Sequence, residues 1–211
     1  MIKLTRSAVL PLALLAAAIF AGCQSPSHSG AVSAPAPASV PTVTATPASV
    51  PAVAAAKPAP ASAAIRIKAG STTGFTDSSG NVWLPEEGFT GGSPYDRSGT
   101  IFAKTKDSVI YQTEHYSMEK FSKALPNGKY TVKLHFSEGF EGVTGPGMRV
   151  FSFNVAGHEF KDFDVWAKSG GFQTAYIETV DVEVTNGKLE ITFTPKIENP
   201  QINGIEIIPK A

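Results

Sequence analysis

The residues best suited to chemistry cluster in YQTEHY, Tyr111 to Tyr116, where two tyrosines, a carboxylate and an imidazole fall within six positions. Glu114 in this run and Glu138 further on are the pair a glycosidase would need, two acids about 5 to 9 Å apart. Sequence supplies no such distance, and a solvated or ion-paired glutamate is the commoner role for each. Acyl transfer lacks a nucleophile: there is no G-x-S-x-G elbow, and the one thiol, Cys23, lies near the N-terminus. His115, His135 and His158 have no H-x-x-x-H or cysteine companion. His135 alternates out of the apolar face of Leu134 and Phe136 and is expected to be exposed. Asp162 and Asp164 share a face of one expected strand, yet two carboxylates are too few for a calcium cage. These residues predict no catalytic centre, no metal site and no cofactor.

Aromatic recognition is left. Tyr95 falls in the glycine-rich stretch GFTGGSPYDRSG at 88–99, Tyr116 closes an expected strand, and Phe140 lies in the loop FSEGFEGVTGPG. Rings held on loops lose solvation unless something covers them, and the C–H faces of sugars are suitable cover. Each stack contributes about 0.5 to 1.5 kcal/mol beyond area burial. Core filling is the competing role for any one ring.

The elements that must position these rings are strands. Apolar residues alternate at Ile65 and Ile67, at Tyr130, Val132, Leu134 and Phe136, and at Phe151, Phe153 and Val155. They alternate again at Val180, Val182 and Val184, at Leu189, Ile191 and Phe193, and at Ile205 and Ile207. Turn signals at Pro126-Asn127-Gly128, Ala156-Gly157-His158 and Thr185-Asn186-Gly187 punctuate them. No segment has a 3.6-residue stripe. Eight or nine short strands predict an all-β, antiparallel, jelly-roll-like β-sandwich over 64–211, with long loops at 70–81 and 86–99. Strand parity sends Tyr111 and Tyr116 to opposite faces, Tyr111 inward from mid-strand and Tyr116 outward with Glu114 beside it.

The remainder of the chain differs in composition. Residues 1–63 hold one of the twenty aromatic residues and three basic residues, Lys3, Arg6 and Lys57, with no acid. The 15 basic and 18 acidic residues that remain give 64–211 a net charge near −3. Nucleic acid is therefore not an expected partner. The start, MIKLTRSAVLPLALLAAAIFAGC, has the basic and apolar regions of a secretory signal. Its end, Phe20-Ala21-Gly22-Cys23, resembles the bacterial lipobox. That resemblance implies a signal peptide at 1–22 and acyl chains on Cys23 as the membrane partner. Gln24 after the cysteine implies the outer membrane of a Gram-negative envelope. Residues 24–63 contain eight prolines, thirteen alanines and no aromatic residue. This is expected to be a disordered linker, spanning roughly 35 Å as a coil and up to about 120 Å as polyproline helix.

Taken in order, IRIKAG at 65–70, FTDSSGNVWLPEEGFTGG at 75–92, YQTEHY, PNGKYTVKLHFSE, MRVFSFNVAG, DFDVWA and ENPQINGIEI at 198–207 resemble the malectin domain. The resemblance implies a jelly-roll-like sandwich that binds carbohydrate without catalytic residues. It carries sugar contacts onto Tyr95, Tyr116, Phe140 and Glu198, with His115 standing where the family has arginine and Glu141 where it has a ring. Glu114 is expected to orient Tyr116 or a sugar hydroxyl. The expected function is a carbohydrate-binding, lectin-like lipoprotein of the cell envelope. The alternatives are a structural or protein-interaction sandwich that has lost its sugar site, and a small glycosidase.

Overall fold

The computed structural model describes residues 63–211. The expected signal peptide, Cys23 and the linker through residue 62 lie outside the described residues.

The first strand, β1 (Ile65–Lys68), supports a small hairpin of β2 (Phe75–Thr76) and β3 (Val82–Trp83), to which it is tied by Lys68 N donating to Leu84 O at 2.9 Å. Next come β4 (Phe89–Asp96), a helical turn α1 (Ser108–Tyr111), β5 (Thr113–Ala124), β6 (Gly128–Phe136), β7 (Val150–Val155) and β8 (His158–Asp164). A second turn of helix, α2 (Val165–Ser169), precedes β9 (Tyr176–Val184), β10 (Lys188–Ile197), β11 (Gln201–Ile202) and β12 (Gly204–Pro209). The larger strands make two antiparallel sheets, ordered β1-β12-β6-β9 and β11-β5-β10-β7-β8, with β4 along the other edge of β5. The fold is the expected all-β sandwich.

Alternation fills the space between the sheets. Val132 and Leu134 of β6, Ile205 and Ile207 of β12, and Val182 and Val184 of β9 are buried against Phe151, Phe153, Val155, Leu189 and Ile191. Phe136, Phe151, Phe153 and Phe163 form a cluster with ring centres 4.9 to 6.2 Å apart. Full burial of each such ring contributes roughly 1.5 to 3 kcal/mol.

Several expectations are corrected. The stretch 86–99 is not all loop, because β4 runs through it as an edge strand whose residues are mostly exposed and lack apolar alternation. Tyr111 is buried as expected, but it ends α1 and does not lie in mid-strand. Tyr116 does not close a strand; it is the fourth residue of β5, which continues to Ala124 past Ser117 at φ +59°. His135 is buried, not exposed. Its side chain leaves the main core as parity requires, but a second apolar cluster of Trp83, Phe102, Ile110, Tyr111 and Ala175 covers that face. There Tyr111 Oη donates to His135 Nδ1 at 3.0 Å and His135 Nε2 donates to Glu206 Oε1 at 3.0 Å. Against the cost of burial, His135 and Arg66 hold the Glu206 carboxyl below the ordinary glutamate range. Asp162 and Asp164 do not form a pair on one regular strand face. Asp162 sits at φ +51° facing Lys196, and Asp164 caps α2 through Ala167 N.

Candidate functional site

The register of β4 on β5 sets the first half of the site. Ser93 opposes Tyr116 and Tyr95 opposes Glu114, so these four side chains share one face of the sheet. Two glycines permit the close approach. Gly92 lies at φ +77°, where a Cβ would collide with the Tyr116 carbonyl oxygen, and a Cβ on Gly70 would collide with that of Glu114.

His115, on the opposite face, fastens the same edge. Its Nδ1 donates to Glu86 Oε2 and its Nε2 to the Gly91 carbonyl, each at 2.9 Å, while Phe89 stacks on the ring at 4.5 Å. Both polar partners are acceptors, so the ring carries two protons and a positive charge. Burial opposes that charge, but the two acceptors outweigh it and raise the His115 pKa.

The second half comes from two loops. The β6–β7 loop presents Phe140, and the segment between β10 and β11 presents Glu198 and Asn199. Tyr95, Glu114, Tyr116, Phe140 and Glu198 all line one cavity of about 290 Å³. The structure thus gathers all five residues that the sequence singled out. Tyr95 is 51% exposed and Phe140 44%, so both present ring surface that the fold leaves uncovered.

Three further residues line the cavity without having been expected: Arg97, Arg149 and Asn199. The arginines join the separate segments. Arg97 Nε donates to Gly139 O at 2.7 Å, its Nη1 lies 3.0 Å from Glu114 Oε2, and its guanidinium sits 4.3 Å from the Tyr95 ring centre. The Arg97–Glu114 contact is close but not aligned as a hydrogen bond, which leaves Nη1 without a directed acceptor. Arg149 Nε donates to Glu138 Oε2 at 2.6 Å and its Nη1 donates to the Asn199 carbonyl. Glu138 in turn accepts from Phe140 N at 2.9 Å. Burial raises the Glu114 carboxyl above the ordinary glutamate range, and the pull of Arg97 does not cancel the effect. One signal for Arg97 was present in the sequence: it follows Tyr95 by two residues, so extended backbone puts it on the same face.

Residues 63–205 match the family model described as the malectin domain. The chain belongs to the malectin domain family. Malectin-B of Xenopus laevis is 32% identical over 114 residues, which are 50% of this chain and 40% of the frog protein. The matched stretch therefore spans less than half the length of that relative. Among solved structures, the fold resembles the Bacteroides uniformis β-glucuronidase with a TM-score of 0.64 and 22% identity, over 70% of this chain and 18% of that one. It also resembles the ANXUR2 extracellular domain of Arabidopsis thaliana with a TM-score of 0.60 and 16% identity, over 69% of this chain and 48% of that one. At these identities the two structures establish the fold of the malectin domain and nothing further.

Proposed function

We propose that this malectin domain binds di- or oligosaccharides without transforming them. The observation that carries the reading is the meeting of Tyr95, Tyr116 and Phe140 with Glu114 and Glu198 at one cavity. The rings offer flat apolar faces to the C–H faces of sugars, Glu198 and Glu114 accept hydrogen bonds from hydroxyls, and the arginines supply donors. Two or three stacks with a few hydrogen bonds correspond to about −4 to −8 kcal/mol, millimolar to micromolar affinity.

Catalysis fits poorly. Glu138, the second acid considered, has a side chain only 1% exposed and is consumed by Arg149 and Phe140 N. Glu114 faces Arg97. A hydrolase needs two carboxyls free to address opposite faces of the glycosidic bond.

We place the domain in the cell envelope of a bacterium, anchored by acyl chains on Cys23 and held off the bilayer by the 24–63 segment, the outer membrane being the expected site. A glycan array that includes peptidoglycan fragments tests the binding. Retention of a glycan by the protein, lost in Tyr116→Ala with folding intact, is expected. Silence across the array would overturn the reading. Glu141, an exposed charge beside Phe140, favours a protein-interaction module as the second reading. A protein partner still captured by a Tyr95→Ala, Tyr116→Ala double variant would select it.

A further inference from the structure

The cavity described above does not end at its aromatic rim. A second cavity of about 350 Å³ shares three of its lining residues, Tyr95, Arg97 and Phe140. The two half-exposed rings therefore form a saddle between two hollows, not the outer wall of one. Its far side is lined by Asp96, Ser98, Glu141 and Gln173. Each cavity alone is close to the lower end of the roughly 300 to 1,000 Å³ typical of ligand sites. Joined, they extend well into that range.

The far side is both fixed and unsatisfied. Gln173 is held at φ +48°, an uncommon conformation for a residue with a side chain, by Gln173 N donating to Glu138 O at 2.7 Å and Ala103 N donating to Gln173 O at 2.8 Å. Asp96 Oδ1 accepts from Ser98 N and Ser98 Oγ, both at 2.6 Å, which sets the carboxylate and leaves Oδ2 without a hydrogen bond. Among the described residues no hydrogen bond or ion pair occupies the Glu141 carboxylate or the Gln173 side-chain amide. Arg97 fastens the saddle itself, bonding Gly139 on the Phe140 loop while lying over Tyr95.

We propose that the groove crosses the Tyr95–Phe140 saddle and that the second cavity is a further sugar subsite, so that the ligand is a run of three or more neutral sugar units. Asp96 and Glu141 accept from hydroxyls there, and Gln173 both donates and accepts. Among the residues that line this cavity the two acids have one cation, Arg97, already engaged by Glu114 and Gly139; Lys68, which also attracts Asp96, is not part of the lining. Uronic acid units and other anionic sugars are therefore excluded from this half of the groove. The inference rests on the carbohydrate-binding reading of the first cavity.

Calorimetric titration of the protein with gluco-oligosaccharide ladders of two to six units, α-1,3, α-1,4, β-1,3 and β-1,4 linked, tests it. Affinity is expected to rise about three- to tenfold between two and four units and then level off, the gain for one or two more hydrogen bonds. A Glu141→Ala, Gln173→Ala variant, checked for an unchanged melting temperature, is expected to lose that gain while keeping disaccharide affinity. Disaccharide binding with no gain on lengthening, or a gain that survives in the variant, would overturn the subsite alone. Absence of binding across all ladders would overturn both the subsite and the proposed function. An oligogalacturonate ladder is expected to show no gain with length, and a gain would overturn the neutral assignment.

Discussion

The guanidinium of Arg97 lies between Glu114 and Tyr95, 3.0 Å from one carboxylate oxygen and 4.3 Å from the ring centre. One largely covered charge thus sets both a polar and an aromatic wall of the groove. Arg97→Ala leaves the Glu114 carboxylate buried without its partner, so a loss of about 3 to 5 kcal/mol is expected in urea unfolding. Arg97→Lys keeps the charge but not the planar fork or the ring contact. It is expected to recover part of the stability while sugar affinity stays reduced.

Gly92 is the hinge of close approach between β4 and β5. Its φ of +77° and the nearby Tyr116 carbonyl both oppose a side chain, and neither obstacle can swing away because each is backbone. Gly92→Ala is expected to cost about 1 to 3 kcal/mol and to displace Tyr95. Gly157, at φ +97° with nothing within 4 Å of an added Cβ, is the control: Gly157→Ala is expected to show a smaller stability loss and unchanged sugar affinity.

His115 makes the β4 edge pH-dependent. Its folded pKa is raised above the unfolded value by Glu86 and the Gly91 carbonyl, against the effect of burial. The charged ring therefore contributes stability that is fully present below about pH 6.5 and is lost as pH rises through the folded pKa. Melting temperature measured from pH 5.5 to 9 is expected to fall across that window, and His115→Gln is expected to flatten the decline. An equally steep decline in the variant would assign the effect to another group.

Anchoring is tested separately from binding. The proposed acylation of Cys23 predicts that Cys23→Ser moves the protein from the membrane fraction to the soluble one, because the thiol is the attachment point of the proposed chains. Membrane retention in that variant would contradict lipidation. Glycan binding is expected to be unchanged.

Legibility in the sequence followed the range of the forces involved. β6, β7, β9, β10 and β12 were readable because each buries one face, and alternation records that directly. β4 was not, since Gly91, Gly92, Ser93 and Pro94 have no apolar period and its strand conformation comes from pairing with β5. His135 was misplaced because its parity is local, whereas the cover over it is supplied by Trp83 and Tyr111 from elsewhere in the chain. Tyr95, Tyr116 and Phe140 stood out as rings at expected loops and a strand end, Glu114 through strand parity with Tyr116, and Glu198 through family resemblance alone. Arg97 and Arg149 look like ordinary surface cations in sequence. Only the fold shows that each balances a buried glutamate and ties down the loop that carries Phe140.

Direct titration of a retained glycan into the wild-type protein and into a Tyr95→Ala, Tyr116→Ala variant, with folding verified by circular dichroism, separates binding from structure. A sugar groove built on these rings requires a millimolar to micromolar dissociation constant for the wild type and no measurable binding in the variant. Equal affinity in the two proteins, with both folded, would contradict it.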